Sequence, residues 1–429
     1  MLSREENELL TRTGTGTPGG DLLRRYWQPV ALCEELPSGG PPKEVRLLGE
    51  DLVLFRDDRE RPGLLGLHCS HRGADLSYGR VEDGGLRCVY HGWLYDVHGQ
   101  CLEQPAEPKG SQFNEKIRHL AYPCQEAGGL IFAYMGPGEP PLLPAYSFLI
   151  VPEGNRVVSK VFQECNYLQA NEGEIDPAHV SYLHRFLKDD VRREPVVSGT
   201  GVRANALVGS DPAPRLEVEE TDFGIRVFAL RDTPDGRTYV RISNFIYPNL
   251  AAFPANRPAG DGYSVHWHVP IDDSHHWKYN ITHALKGSLD EGEKDRYLAT
   301  RADLREDYHL KRNKSNRFLQ DREEMKTKSF TGVGPSFLVM DACATEGQGA
   351  IQDRAREHLG YSDKAIAMER KLLLKAVKAV QEGGDPPHVI RDPEKNNLSD
   401  LGGLSVVIPS TKDWKSIWQE YLSIPHIAP

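Results

Sequence analysis

The sequence predicts an α+β protein in two unequal parts: a small all-β domain, then a larger domain with an antiparallel sheet flanked by helices. Three observations support this. From about Lys43 to Tyr134, short alternating segments are separated by Gly, Pro and Asp-Asp, the texture of a compact β domain. The proline-rich stretch GPGEPPLLPAY, residues 136–146, reads as its exit linker. Beyond it, extended runs such as RLEVEETDFGIRVFALR, TYVRISNFIYP and GYSVHWHVPID share the chain with segments of helical periodicity.

Taken in order, residues 5–35 read as a helix, a Gly/Pro break, and a second helix around LLRRYWQPV that Pro29 terminates. EVRLLG, DLVLFRD, GLLGLHC, LRCVYHGWLYD and GGLIFAYMG fit the strands of the β domain. NYLQANEGEIDPAHVSYLHRF reads as helical, with Pro177 in the first turn of a helix that starts near Asp176. SLDEGEKDRYLATRADLREDYHLKRN is a charged, exposed segment. DKAIAMERKLLLKAVKAVQEGG carries a core stripe (Ile366, Leu372, Leu373, Val377) at helical spacing and ends in the paired glycines of a C-cap. The tail from Pro386 is loop-rich.

Bulk properties narrow the function. The 429 residues suffice for two or three domains. A net charge of −10 without a basic block argues against nucleic acid as a partner. Apolar runs such as GLIFAYMG fall far short of the ~20 residues of a membrane helix, and MLSREENELLTRTG lacks the apolar core of a signal peptide. Seven cysteines, odd in number and sparse, point to a reducing cytoplasm and leave thiols available for metals. The glycines of GTGTPGG lack the preceding strand and the order of a dinucleotide-binding turn.

The chemistry begins at LHCSHRGADLSYGRVEDGGLRCVYHGWLYD. It holds Cys69-x-His71 and, after sixteen residues, Cys88-x-x-His91. Two thiolates and two imidazoles suit a structural zinc, or a [2Fe–2S] cluster with cysteines on one iron and histidines on the other. Gly73 and Gly92 follow the two pairs and suit backbone turning close to a cluster. His68, His98 and Cys101 lie outside the spacing and read as loop residues. CSHRG and CVYHGW resemble the two loops of the Rieske iron–sulfur family, as found in ring-hydroxylating oxygenases. Histidine ligation removes negative charge from such a cluster and raises its reduction potential.

A second candidate lies in Asp176-x-x-His179-x-x-x-x-His184. On an ideal helix, histidines five apart are offset by roughly 140°, so a local distortion is needed for both to reach one metal. Alone, this spacing equally fits ordinary polar residues. Behind a Rieske pair it resembles the mononuclear iron motif of Rieske oxygenase α-subunits, in which two histidines and a carboxylate leave iron positions open for O2 and substrate. LVMDACATEGQGAIQDRAREHLG, with RTGTGTPGGDLLRRYWQPVAL and HLGYSDKAIAMERKLLLKAV, resembles the phthalate-dioxygenase-like branch. That resemblance implies Asp341 as the third ligand, with Glu346 and Asp353 as rivals. It implies that Asp176 links His91 of a neighbouring subunit to His179 within a homo-oligomeric ring, a trimer or a hexamer of stacked trimers. As a bare residue, Asp176 also reads as a helix N-cap.

The same resemblance divides the chain into an N-terminal helical segment, 1–26, packing on the catalytic domain, a Rieske domain, 27–140, and a catalytic domain, 141–429. It implies a terminal oxygenase that takes electrons from a separate NADH-dependent reductase and uses Fe(II) and O2 to hydroxylate an aromatic substrate, an aromatic carboxylate in this branch. Monooxygenation or O-demethylation of an aromatic acid, and electron carriage without catalysis, are the alternatives. Arg241 and Arg203 are candidates to pair with a substrate carboxylate, although each also fits an ordinary strand-surface arginine. His266, His268, His275 and His276 read as polar strand-face residues, because no acidic or Cys partner follows at ligand spacing.

Overall fold

The computed structural model describes residues 1–187, 207–208, 211–255, 261–298, 301 and 303–422. Ser3 caps helix α1 (Arg4–Thr11) through a reciprocal pair of hydrogen bonds with Glu6. Thr17 and Pro18 open α2 (Pro18–Arg24). This helix ends sooner than the sequence suggested. Gln28–Leu32 is a strand, buried at every position and paired antiparallel with Leu130–Ala133. The residue before a proline avoids helical backbone, and Pro29 sits beside a register shift where a missing N–H is tolerated.

The β domain is built from three small sheets. One joins Gln28–Leu32, Leu130–Ala133 and Cys124–Ala127; the next joins Lys43–Leu47, Glu50–Arg56, Pro62–Gly66 and Ala121–Tyr122. The third joins Arg80–Glu82, Gly85–Arg87, Leu94–Tyr95 and Cys101–Glu103. LRCVYHGWLYD is therefore two short strands, not one, because Cys88–Trp93 forms a turn between them. Val53, Phe55, Leu65, Leu76, Leu86 and Tyr95 pack around Cys69 and Cys88.

The larger part is organised by an eight-stranded sheet. Its strands are β1 (Arg156–Gln163), β2 (Arg215–Thr221), β3 (Gly224–Asp232), β4 (Arg237–Ile246), β5 (Leu250–Pro254), β6 (Tyr263–Pro270) and β7 (His276–His283). They run antiparallel in the order β1-β7-β6-β5-β4-β3-β2, and a tail strand, β8 (Leu404–Pro409), pairs with the first half of β4. The tail is thus structured: Val240 and Ile242 of β4 pack with Trp418 and Tyr421 of the tail helix Trp414–Leu422.

Tyr239 and Arg241 alternate with those residues onto the other face of β4. On β6 and β7, His266 stands opposite Asn280 and His268 opposite Lys278. Helix α3 (Tyr167–Ile175) lies on β5 and β6, α4 (Phe337–Gly347) packs against α3, and α5 (Lys364–Gln381) lies on β2 and β3. The buried Glu172 of α3 accepts from both Arg354 and Arg370, and Arg354 also reaches Asn7 of α1. This network fixes α3 against its neighbours. Among the described residues, no helix is long and apolar enough to cross a membrane.

Candidate functional site

In the β domain both Cys-His pairs sit on tight turns. The Gly73 N–H donates to the Cys69 carbonyl and the Gly92 N–H to the Cys88 carbonyl, each about one helical turn long. Gly73 and Gly92 have φ of 71° and 73°, a conformation in which a side chain is strained. The turns converge, so that the His71 and His91 rings lie 4.4 Å apart at the domain tip. Both thiols are buried, His71 is exposed and His91 half-buried. Trp93 stacks on His71, and the Tyr95 hydroxyl lies 3.2 Å from Cys69 Sγ. Buried sulfurs, outward imidazoles and a hydroxyl at one sulfur match the needs of a histidine-ligated [2Fe–2S] cluster.

The second set gathers where α3 ends. The predicted helix from Asp176 does not form: α3 stops at Ile175, and Asp176 is its C-terminal neighbour. Pro177 disfavours helical backbone at Asp176, whose Oδ1 accepts instead from the Ala178 N–H at 2.7 Å. A single 3-10 turn, His179–Ser181, follows. That break supplies the distortion that spacing alone demanded. The His179 and His184 rings are 5.1 Å apart, and one donor atom each from His179, His184 and Asp341 lies within 4.8 Å of the others. His184 Nε2 is 3.0 Å from Asp341 Oδ1, and His179 Nδ1 is 3.8 Å from Asp176 Oδ2. Burial and the neighbouring His184 ring hold the His179 imidazole below its usual pKa, favouring the neutral form that binds metal. Two imidazoles and one carboxylate form a donor set that fits Fe(II).

Comparison with known proteins gives the family of both parts of the chain. A family model described as "Rieske [2Fe-2S] domain" matches residues 26–121, and one described as "LigXa C-terminal domain like" matches residues 133–425. The chain is 37% identical to the phthalate 4,5-dioxygenase oxygenase subunit of Pseudomonas putida, covering 98% of this chain and 96% of that one. The chain belongs to the Rieske non-haem iron oxygenases. It is also 34% identical to the 5,5'-dehydrodivanillate O-demethylase oxygenase subunit of a Sphingobium species, over 94% of this chain and 86% of that one. In fold it resembles the terminal oxygenase of carbazole 1,9a-dioxygenase from Nocardioides aromaticivorans, with a TM-score of 0.58 at 19% identity, covering 88% and 98% of the two chains.

In this Rieske oxygenase the rival carboxylates stand elsewhere. Glu346 is buried and accepts from the Glu164 backbone N–H, away from the histidines, and Asp353 is exposed. Arg241 lies on the face of β4 shared with Tyr239, which packs against Val180 of the histidine turn. Arg203 falls outside the described residues. Sequence reasoning missed Arg231, fully buried, which donates to the Pro177 carbonyl and so clamps the turn beside Asp176. It also missed a polar row beneath Asp341. Glu174 Oε1 lies 2.5 Å from Lys278 Nζ and 2.7 Å from His266 Nδ1, and Lys278 Nζ lies 3.7 Å from Asp341 Oδ2. His268 and His276 extend the row to the Cys165 carbonyl. Burial works against charge on Glu174, but His266 and Lys278 outweigh it and hold its carboxyl well below the usual range. The one available signal was a lysine at a buried position of the strand HWKYNITH.

Proposed function

We propose that this chain is the terminal component of an oxygenase system acting on an aromatic carboxylate. In this reading Cys69 and Cys88 hold one iron of the cluster and His71 and His91 the other, while His179, His184 and Asp341 hold a mononuclear Fe(II). The domain division is 1–26, 27–140 and 141–429, with electrons supplied by a separate NADH-dependent reductase. Iron held by His179, His184 and Asp341 would supply the activation of O2. The observation that carries the reading is the convergence of His179, His184 and Asp341 outside the Cys-His domain, since a mere electron carrier needs no such set.

Arg241 binds the substrate carboxylate in a charge-assisted contact, and Arg203 is the second candidate. Support for a carboxylate comes from the phthalate relative and from the placement of Arg241 on the face that meets the histidine turn. The O-demethylase relative favours a second reading, demethylation of an aromatic acid at the same iron; analysis of the product separates the two.

Asp176 bridges His179 to His91 of a neighbouring copy in a head-to-tail ring, a trimer or stacked trimers. Two exposed apolar groups support this arrangement: Tyr78, Val89 and Tyr90 near the Cys-His tip, and Tyr182, Phe330 and Phe337 around the histidine turn. Mixing inactive His91→Ala and His179→Ala variants under conditions of subunit exchange tests the whole reading. Partial recovery of O2-dependent turnover of an aromatic acid is expected. No recovery despite proven exchange would refute the bridge, and a wild-type protein without iron beyond its cluster would refute the enzyme reading.

A further inference from the structure

Lys278 is a charged side chain in an unusual place. It is 1% exposed, lies within β7, and stands 3.7 Å from the carboxylate proposed above to bind iron. A lone buried ammonium there would oppose a divalent cation and compete with it for Asp341. The structure does not leave it alone. Glu174, on the last turn of α3, accepts from Lys278 Nζ through Oε1, and the same oxygen lies 2.7 Å from the His266 ring. Lys278 and Glu174 therefore cancel as charges, while the ammonium still faces Asp341 Oδ2. Asp341 Oδ1 points the other way, to His184. The two oxygens of one carboxylate thus have separate partners.

We propose that Glu174 and Lys278 form a charge-balanced positioning pair for the mononuclear metal site. Lys278 holds Oδ2 so that Oδ1 is presented beside the histidines, and Glu174 neutralises the ammonium so that it neither repels the metal nor captures Asp341. The proposal rests on the assignment of His179, His184 and Asp341 as ligands. Neither member touches substrate, and both act through Asp341. Outer-sphere partners of this kind change metal affinity by roughly 10–100-fold when lost.

The sign of the effect separates this role from simple structural support. Glu174→Gln leaves an unbalanced ammonium free to pair with Asp341, and metal affinity should fall at least about tenfold. Lys278→Met alone loses the hold on Oδ2 and should weaken Fe(II) binding by less than Glu174→Gln does; adding it to Glu174→Gln removes the competing ammonium, so the double variant should bind as Lys278→Met does and better than Glu174→Gln. The measurement is anaerobic titration of Fe(II) into full-length protein whose mononuclear site has been emptied by a chelator, followed by calorimetry. Far-ultraviolet circular dichroism and the fluorescence of Trp267 and Trp277, on the strands that carry His266 and Lys278, report an intact catalytic domain in each variant. Glu174→Gln binding Fe(II) as tightly as wild type would overturn the proposal, as would a folded double variant binding no better than Glu174→Gln. If emptied wild-type protein takes up no Fe(II), the ligand assignment itself fails; if it does and the variants behave otherwise than stated, only the pair fails.

Discussion

Replacing Glu346 by Gln should change stability in a pH-dependent way whose sign follows from burial. Glu346 is 2% exposed; its Oε1 accepts from the Glu164 N–H, and its Oε2 has no partner among the described residues. Burial pushes its carboxyl from 4.5 up to about 7, so the native state prefers the protonated form. Below pH 4.5 the acid is protonated whether folded or unfolded and the burial costs nothing. As pH rises from 4.5 towards 7 the unfolded chain ionises while the native one resists, so stability falls, and above 7 the loss is complete. At about 1.36 kcal/mol per pH unit, the full loss is about 3 kcal/mol, of which about 2.5 kcal/mol develops between pH 5 and pH 8. Gln keeps an acceptor for Glu164 but carries no titrating proton, and its amide leaves a buried donor unpaired at a cost of about 1–3 kcal/mol. That cost is the same at both pH values. The variant should therefore gain about 2.5 kcal/mol relative to wild type between pH 5 and pH 8. Urea unfolding followed by tryptophan fluorescence at both pH values measures the difference. An offset between variant and wild type that is equal at pH 5 and pH 8 would refute the reasoning.

Asp341→Ala should reduce mononuclear iron to below about a tenth of wild type while leaving the [2Fe–2S] signal unchanged, because the two centres share no ligand. Metal analysis of both Asp341→Ala and Glu346→Gln checks the choice of carboxylate; loss at Glu346 instead would reverse it. Arg241→Ala should raise KM for an aromatic acid by about 10–100-fold, the worth of one hydrogen bond to a charged group. Steady-state kinetics with the acid and its neutral amide decide this, since equal effects on both would leave Arg241 structural.

What could be read from the sequence follows how local each feature is. The two Cys-His pairs were legible because each ligand turn is made by its own five or six residues, glycine included. The helix Lys364–Gln381 was legible because its buried residues recur at helical spacing. Strand β8 was not: six residues of the tail become a strand only by pairing with β4, more than 160 positions earlier. Histidines 266 and 268 lacked an acidic partner at ligand spacing, and that observation was sound. Their partner is Glu174, on another element, and no local pattern records that α3 lies across β6.

The turn at Asp176–His184 shows the same limit at the candidate metal site. Proline fixes its own φ and serves equally to start a helix or to end the one before it, so Pro177 alone permits both readings. The choice is made by groups distant in sequence. The Arg231 guanidinium takes the Pro177 carbonyl, the Ser181 hydroxyl donates to the Val208 carbonyl, and Val180 packs on Tyr239. A continuous helix from Asp176 would use the Pro177 carbonyl within its own ladder and deny it to Arg231. Arg231, fully buried, would then keep only its Nε bond to the Asp211 carbonyl among the described residues, and a hydrogen bond lost from a buried charged group is more costly than one lost helical bond. The broken helix is thus the cheaper arrangement, and it is also the one that brings His179 and His184 to a common point with Asp341. The sheet therefore underlies this point of convergence: β3 holds the turn through Arg231, and β7 places Lys278 Nζ 3.7 Å from Asp341 Oδ2.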